Sequence, residues 1–257
     1  MFSDKNKTFR IICSDENQLV SVDRALLGRV ESQISSIRGM RVNRGNPDME
    51  FWFLSRSENI GFFMLRITKH RAHEKVLHKG ELRPELANIL CRMSKPSDTD
   101  IFLDPFSGYG AIPLERAFSF DYNMIFAIDN DKQKVDYIKQ KIKEIRNNKI
   151  KKVFFVKNMD SLHMNTIEDE FIDKIVTDPP WGLFEDVGME IEDFYSLMIK
   201  ELYRVLKPGG IMVVLTAKKT EFEKCLSKYE NTFIPDKKYD ILVSGKKAGV
   251  YRIIKNK

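Results

Sequence analysis

A chain of 257 residues with 42% hydrophobic and 31% charged residues is typical of a globular protein with one large domain and a smaller appendage. No run of about 18 apolar residues occurs and the start of the chain is polar, which argues against a membrane span or secretion and for the cytoplasm. The net charge of +6 favours an anionic partner, since lysines and arginines that face phosphates gain affinity by releasing counterions.

Residues 1–70 are predicted to form a small α+β module. Residues 9–13 are typical of a short strand, and Ser21 is expected to cap a helix with apolar positions at near-helical spacing. Those positions are Val22, Leu26, Val30, Ile34 and Ile37. Two β-rich runs, residues 50–54 and 60–67, follow with three polar residues between them, so a hairpin is expected.

A polar and basic stretch follows, and it holds three of the four histidines, His70, His73 and His78. No cysteine or carboxylate cluster accompanies them and the neighbouring cations repel a divalent ion, so no metal site is expected. The three cysteines lie far apart in apolar patterns, as expected of reduced, buried thiols. Residues 71–83 are therefore interpreted as a basic linker, which either faces bound phosphates or is simply solvated.

From residue 84 to the C terminus a helix is followed by strands that alternate with helices. Pro84 suits the first position of a helix. Strands are predicted at residues 101–103, 124–128, 153–156, 174–177 and 211–216. Helices are predicted to start near Ile112, Asp131, Glu190 and Thr220. This alternation implies βαβ units built around a parallel sheet.

The C-terminal end is predicted to hold two more strands, residues 239–243 and 250–254, with residues 244–249 as their connection. Two strands joined so briefly must be antiparallel. The predicted fold class is therefore α/β, with a mixed seven-stranded sheet that ends in an antiparallel strand pair. Five parallel strands followed by such a pair differ from the usual nicotinamide-binding domain.

A glycine-containing loop, residues 104–111, directly follows the first of these strands. Gly108 and Gly110 permit positive φ and let a ligand approach the main chain closely. The lysine of a phosphate-binding loop is absent, which disfavours ATP or GTP hydrolysis. Acids also end four consecutive predicted strands, at Asp104, Asp129, Asp160 and Asp178. Each acid alone can be a helix cap, but four on one rim suit a nucleoside with a positive sulfonium, which points to S-adenosylmethionine.

A second loop ends the fourth strand in a carboxylate, two prolines and an indole: Asp178, Pro179, Pro180 and Trp181. Prolines fix their own φ and push the preceding residue into an extended conformation, so the carboxylate and the ring are held in place. A rigid acceptor beside a flat apolar face suits a planar base with an amino group. The Asp-Pro-Pro sequence alone is equally compatible with a plain turn at the end of a strand.

Together, the sequence Asp-Pro-Phe-Ser-Gly-Tyr-Gly, the acid Asp129 and the Asp-Pro-Pro-Trp loop resemble class I S-adenosylmethionine-dependent methyltransferases that modify exocyclic or amide nitrogen. With the upstream Leu-Arg-Pro-Glu-Leu-Ala at residues 82–87, the chain is similar to the UPF0020-like, THUMP-associated RNA guanosine methyltransferases. That resemblance covers residue 76 to the C terminus. It implies a Rossmann-like fold, RNA and mostly tRNA as substrate, and the guanine 2-amino group as methyl acceptor.

The resemblance also implies roles for individual residues. The target base is expected at Asp178, Pro179, Pro180 and Trp181. The implied cofactor contacts are Asp104, Phe106, Ser107, Gly108, Gly110, Asp129, Asn130, Asp160, Ser161 and Asp178. Three residues depart from the family pattern, since Tyr109 and Ala111 replace a small residue and a threonine, and Trp181 replaces a tyrosine.

Residues 1–70 resemble the second half of a THUMP domain, without the ferredoxin-like segment that normally precedes it. The expected protein is thus an RNA methyltransferase with a partial RNA-binding module, and a homodimer or a partner protein is expected to supply the missing RNA-binding surface. Two alternatives remain open. One is an adenine-N6 methyltransferase acting on RNA or DNA, which needs the same acceptor and stacking face; the other is a non-catalytic RNA-binding paralogue.

Overall fold

A computed structural model describes residues 7–16, 18–66, 77–145, 153–182 and 188–256. The chain divides into two compact units, residues 1–74 and residues 75–257, called the N-terminal and C-terminal units below. The sequence-predicted boundary near residue 70 lies outside the described residues. Among the described helices, none combines the length and the apolar character needed to span a membrane.

The described residues of the N-terminal unit form a five-stranded sheet and one helix. Its elements are β1 (Thr8–Asp15), β2 (Gln18–Leu19), α1 (Arg24–Arg38), β3 (Arg41–Val42), β4 (Met49–Arg56) and β5 (Ile60–Arg66). The strand order is β2-β1-β4-β5, and β3 also pairs with β1. Strand β4 lies parallel to β1 and antiparallel to β5, which confirms the predicted hairpin across residues 57–59.

Helix α1 begins later than the sequence predicts. The side chain of Asp23 accepts hydrogen bonds from the backbone N–H groups of Ala25 and Leu26 at 3.1 and 2.9 Å, so Asp23 is the N-cap. The prediction of Ser21 as the cap was wrong, because an aspartate two residues later reaches the same free amides of the first turn. Gly39 ends the helix with φ 64°, a conformation that glycine adopts without a steric penalty.

The aromatic residues of β4 divide between the two faces of the sheet. The rings of Phe51 and Phe53 both contact Phe63 of β5, with centroids 5.7 and 4.8 Å away. Trp52 lies on the other face, where its indole N–H donates to Glu50 at 3.2 Å. Cross-strand ring contacts of this kind stabilise an antiparallel pair.

The C-terminal unit is an α/β layer structure. Its helices are α2 (Pro84–Met93), α3 (Ala111–Ser119), α4 (Lys132–Ile145), α5 (Ile191–Val205) and α6 (Lys219–Ser227). Its strands are β6 (Ile101–Asp104), β7 (Met124–Asp129), β8 (Val153–Asn158), β9 (Ile172–Thr177), β10 (Leu206–Thr216), β11 (Phe233–Val243) and β12 (Lys246–Lys255). Pro84 is the first residue of its helix, as predicted.

The seven strands form one sheet in the order β11-β12-β10-β9-β6-β7-β8. Strands β6 to β10 are mutually parallel, and β12 is antiparallel to both β10 and β11. The order reverses between β6 and β9, and an open α/β sheet binds ligands outside the carboxyl ends of its strands at such a point. The predicted mixed sheet with an antiparallel C-terminal pair is confirmed.

Both faces of this sheet are covered, so its central strands contribute apolar residues to a core on each side. Ile175 of β9 belongs to the core cluster that includes residues of α5 and α6. The next residue, Val176, belongs to the cluster on the opposite face, which includes residues of α2, α3 and α4. These are called the α5–α6 face and the α2–α4 face below.

The C-terminal hairpin is longer than predicted. The prediction that residues 244–249 form the connection was wrong, because β12 begins at Lys246 and pairs with β11 as far as Val243. The connection is only Ser244 and Gly245, with φ values of 48° and 79°. A two-residue turn with both φ values positive matches the right-handed twist of paired strands, so the ladder continues through four polar or small residues.

Candidate active site

The acids predicted to line one rim do follow neighbouring parallel strands. Asp104 ends β6 and is in register with Ala127 of β7, while Asp129 ends β7 and is in register with Asn158 of β8. Asp178 directly follows β9, whose last residue is in register with Val214. Because these strands are parallel, their carboxyl ends lie at the same edge of the sheet, and the acids lie along it.

The glycine loop is held against this edge by backbone hydrogen bonds. The N–H of Ser107 donates to the carbonyl of Ile128 at 2.8 Å, and its hydroxyl donates to the carbonyl of Asp104 at 2.8 Å. Gly108 and Gly110 have φ values of 52° and 87°, in the region that favours glycine. A Cβ on Gly108 would meet nothing within 4 Å, so the main chain is open there to a ligand.

Asp129 joins the loops after β6 and β7. Its two carboxylate oxygens accept from the backbone N–H groups of Gly108 and Asp131 at 2.8 and 2.9 Å. Each carboxylate oxygen has a second lone pair, so the group retains acceptor capacity for ribose hydroxyls. Asn130, the next residue, is exposed. The cofactor roles of both residues stay predictions.

The loop after β8 is tied to the same rim. The Asn158 side chain donates to the carbonyl of Asp129 at 3.0 Å, and the Ser161 hydroxyl donates to the carbonyl of Pro105. Asp160 instead lies exposed and accepts from the Leu162 N–H at 2.9 Å. Partial burial raises the pKa of Asp160, but the hydrogen bonds from His163 and the Leu162 N–H outweigh it and hold the pKa below the usual range.

Asp104 is the most deeply buried acid of the rim, with 1% of its surface exposed. Burial raises the pKa of its carboxyl well above the usual range, and repulsion from Asp178 and Asp129 adds to this. One of its oxygens accepts from the Phe106 N–H at 3.2 Å, whereas the other has no hydrogen-bond partner among the described residues. The Thr177 hydroxyl is near enough to lower the pKa somewhat, but it is not in hydrogen-bond geometry with the carboxyl.

The loop after β9 connects its carboxylate to its indole directly. The Trp181 Nε1–H donates to Asp178 Oδ1 at 2.8 Å. Pro179 between them is buried, and Pro180 and Trp181 are half-buried, with the Trp181 ring against the core cluster of the α2–α4 face. The sequence predicts a rigid acceptor and ring as separate groups. The hydrogen bond means that the ring also fixes the orientation of the carboxylate.

An aromatic cluster beside the glycine loop was not predicted. The Tyr109 ring stacks on His78 with centroids 4.0 Å apart and 12° between the planes, and Tyr137 of α4 contacts both rings edge-on. His78, which the sequence assigns to the basic linker, thus packs on the loop, and Leu82 of the same stretch is buried in the core of the α2–α4 face. The signal in the sequence was the tyrosine between two glycines, although nothing there indicated its partner.

Phe106 lies on the other side of the same loop. Its ring contacts Phe194 of α5 with centroids 5.6 Å apart, so the loop is packed on both flanks. This fixes the main chain of the loop, while the Asp104 carboxyl oxygen without a partner and the open side of Gly108 lie at the same edge. A main chain open to close approach and a row of acids fit a nucleoside that carries a positive charge.

Residues 71–238 match the protein family described as UPF0020, the RMKL-like methyltransferase domain. This match covers well over half of the chain.

The chain belongs to this family.

The UPF0020 assignment confirms the family that the sequence resembles.

Relatives of this UPF0020 chain carry the names of tRNA methyltransferases. It is 30% identical over 193 residues to the tRNA (guanine(6)-N(2))-methyltransferase THUMP3 of Mus musculus, covering 71% of the chain and 38% of that relative. It is 30% identical over 160 residues to the tRNA (guanine(10)-N2)-dimethyltransferase of Methanocaldococcus jannaschii, covering 60% of the chain and 43% of that relative. The chain thus spans about two-fifths of the length of these relatives.

The fold of this UPF0020 chain is also that of a solved structure. The crystal structure of TrmN from Thermus thermophilus superposes with a TM-score of 0.69 at 22% identity, covering 97% of this chain and 72% of that one. This confirms the Rossmann-like methyltransferase fold. The predicted roles of individual site residues rest on the geometry above and stay predictions.

Proposed function

We propose that this chain transfers a methyl group from S-adenosylmethionine to the exocyclic 2-amino group of a guanosine in RNA, with tRNA as the substrate class. The observation that carries the proposal is the Asp178 carboxylate, oriented by the Trp181 indole at 2.8 Å on the rim that also bears the glycine loop. Membership of a methyltransferase family and relatives named as tRNA guanine N2-methyltransferases support it.

The residues of the rim fit this cofactor. S-adenosylmethionine, when bound, supplies an activated methyl group on a positively charged sulfur. The open main chain at Gly108, the carboxyl of Asp104 and the rim residues Asp129 and Asp160 would hold the nucleoside and the amino-acid portions. Asp104 in its ionised form also offsets positive charge, and a cation that binds nearby in turn favours that ionised form.

The methyl acceptor is an amino group whose lone pair is delocalised into the base. Hydrogen bonds from its N–H groups to the Asp178 carboxylate and the Pro179 carbonyl make the nitrogen more pyramidal and stabilise the charge that develops on it. Alignment of the two reactants contributes about 7 to 11 kcal/mol in well-oriented reactions. The Trp181 ring holds the base by stacking, worth about 1 to 3 kcal/mol, and a base inside a helix must first be flipped out.

The N-terminal unit is proposed as part of a THUMP-like RNA-binding module, joined by the basic linker to a methyltransferase domain at residues 84–257. A second copy or a partner protein is proposed to complete the RNA-binding surface. Adenine-N6 methylation would use the same carboxylate and ring, so the modified nucleoside separates the two activities. If the chain is instead a non-catalytic RNA-binding paralogue, it will not turn over. It will then either bind S-adenosylmethionine without transferring the methyl group or not bind it at all.

The test is methyl transfer by the purified full chain to in vitro transcribed tRNA, with the product nucleosides identified by mass spectrometry. The wild type is expected to form N2-methylguanosine. Asp178→Ala is expected to abolish turnover and to leave S-adenosylmethionine binding largely intact by calorimetry, because this carboxylate is only one of the implied cofactor contacts. Trp181→Phe keeps an aromatic face but loses the N–H, so kcat is expected to fall more than RNA affinity does.

N6-methyladenosine as the product would replace the guanosine assignment. Retained turnover in Asp178→Ala would remove the carboxylate from the mechanism. Cofactor binding by the wild type with no methylated nucleoside from any tRNA transcript would favour the non-catalytic alternative.

A further inference from the structure

The C-terminal hairpin extends beyond the rim that bears the candidate site. The last pair between β10 and β12 is Thr216 with Gly249, and β9 ends in register with Val214. Strands β12 and β11 continue to pair for three more residues, up to Lys246 with Val243. At about 3.4 Å a residue, the tip of the hairpin projects about 10 Å past the end of β10.

The alternation of the strand places Lys246 on the α2–α4 face of the sheet. Ala248 and Val250 belong to the core cluster of that face, and Lys246 is two residues from Ala248 on the same strand. Its cross-strand neighbour Val243 packs against this cluster, and so does Trp181. The exposed cation of Lys246 therefore lies above the face on which the Trp181 ring lies.

The adjacent lysine belongs to the opposite face. Lys247 lies on the same face of β12 as Tyr251 and Ile253, because side chains alternate along a strand. Both of those residues belong to the core cluster of the α5–α6 face. On that face Asp240 of β11 accepts from Lys219 of α6 at 2.8 Å. Lys246 and Lys247 are both exposed lysines, and they lie on opposite faces of the sheet, so substituting each in turn compares the two faces.

The arrangement fits a strand of RNA more closely than a small ligand. A base that stacks on Trp181 brings its own sugar and phosphates with it, and Lys246 lies on the same face of the sheet as that ring. A lysine ammonium binds phosphate as a flexible point charge and fixes register without reading sequence. The tip of the hairpin, residues 243–246, also lies outside residues 71–238, the segment that matches the family.

We propose that Lys246, at the tip of the β11–β12 hairpin, binds a backbone phosphate of the RNA strand that carries the target nucleotide. This inference rests on the proposed function, since it assumes that Trp181 covers an RNA base. The hairpin then borders the substrate site, and Lys247, on the opposite face, does not contact the RNA.

The test compares Lys246→Gln with Lys247→Gln in the full chain. Binding to in vitro transcribed tRNA is measured by fluorescence anisotropy at several salt concentrations between 50 and 200 mM, a range suited to counterion release. For Lys246→Gln the slope of log K against log salt is expected to fall by about 0.7 to 0.9, the loss of one phosphate contact. Lys247→Gln is expected to match the wild type, and Lys246→Arg to restore the slope.

Affinity for S-adenosylmethionine, measured by calorimetry, is expected to be equal in all four proteins, which shows that the variants are folded. Equal losses in both glutamine variants would indicate a general charge effect and overturn the proposal, as would an unchanged slope in Lys246→Gln. The wild type is assayed in parallel for methyl transfer to the same transcript. Turnover with an unchanged slope refutes the hairpin contact alone, whereas a wild type that neither binds nor methylates the RNA refutes the proposed function as well.

Discussion

Two buried aspartates of the C-terminal unit show how the same side chain serves different purposes. Asp100 is 4% exposed and accepts from the fully buried Arg116 at 3.0 Å and from the Ser97 N–H at 2.7 Å. Asp104 is as deeply buried, but its described partner is the Phe106 N–H. A buried acid with a cation is part of the core, whereas one with an unsatisfied oxygen and a raised pKa is a candidate for binding a ligand.

Replacing Asp104 by asparagine is expected to stabilise the folded protein at neutral pH. The pKa of the folded Asp104 carboxyl lies above the unfolded value of about 3.9, so the folded state binds this proton more tightly. The wild type therefore loses stability as pH rises from about 4 through the folded pKa, and asparagine does not titrate. The advantage of Asp104→Asn, measured by chemical denaturation, should grow with pH to the order of 1 kcal/mol or more, while affinity for S-adenosylmethionine falls.

Asp100→Asn is the control, because it leaves the buried guanidinium of Arg116 without its counter-ion. It is expected to destabilise the protein by about 3 to 5 kcal/mol. An effect of Asp104→Asn that is the same at pH 4 and pH 8 would contradict the assignment of the pH dependence to this carboxyl.

At the scale of the element, local chemistry decides where helices and hairpins begin and end. The first turn of α1 has free amides, and the carboxylate of Asp23 satisfies two of them. The turn of the C-terminal hairpin accommodates two positive φ values at Ser244 and Gly245. Both features moved a boundary by two or more residues from its predicted place, and the second lengthened the C-terminal hairpin.

Replacing the cap of α1 is expected to loosen that helix locally. Asp23→Ala removes the acceptor for the Ala25 and Leu26 amides and should cost about 1 kcal/mol, whereas Ser21→Ala should cost nothing measurable. Hydrogen exchange of the α1 amides measures this directly, with about fivefold faster exchange expected for Asp23→Ala alone. Faster exchange in Ser21→Ala instead would restore the serine as the cap.

At the scale of the whole molecule, the chain holds one tryptophan in each compact unit, Trp52 and Trp181. The net charge of +6 suits an RNA substrate, while the acids of the candidate site lie together along one rim of the C-terminal unit. In the proposed reaction the acids of the rim would attract the positively charged cofactor, and the net positive charge of the chain would favour the RNA. The proposed reaction needs both.

S-adenosylmethionine is expected to stabilise the C-terminal unit and not the N-terminal unit. At 100 times its Kd, a ligand that binds only the folded state adds about 2.7 kcal/mol to the free energy of unfolding. In a Trp52→Phe background the fluorescence of Trp181 reports the C-terminal unit, and in a Trp181→Phe background that of Trp52 reports the other. An unchanged Trp181 transition would argue against the cofactor site, and an equal shift of both would contradict an effect confined to one unit.

The sequence by itself determined the family, the alternation of strands and helices, and the two loops of the candidate site. These follow from local rules, because apolar runs, glycines and prolines act on the backbone next to them. It also predicted that the acids after β6, β7, β8 and β9 share a rim, since the carboxyl ends of parallel strands must meet. The cap of α1 and the length of the C-terminal hairpin were within reach of the same rules, but competing local signals misplaced them.

Only the tertiary structure decided which groups contact one another. The stack of His78 on Tyr109, the unsatisfied oxygen of Asp104 and the position of Lys246 above the Trp181 face depend on residues that are distant in sequence. Burial and pairing register set these features, and neither is encoded in a short window of the chain. The physical reason is that the pKa of a carboxyl and the face of a strand depend on what packs around them, and packing is a property of the whole fold.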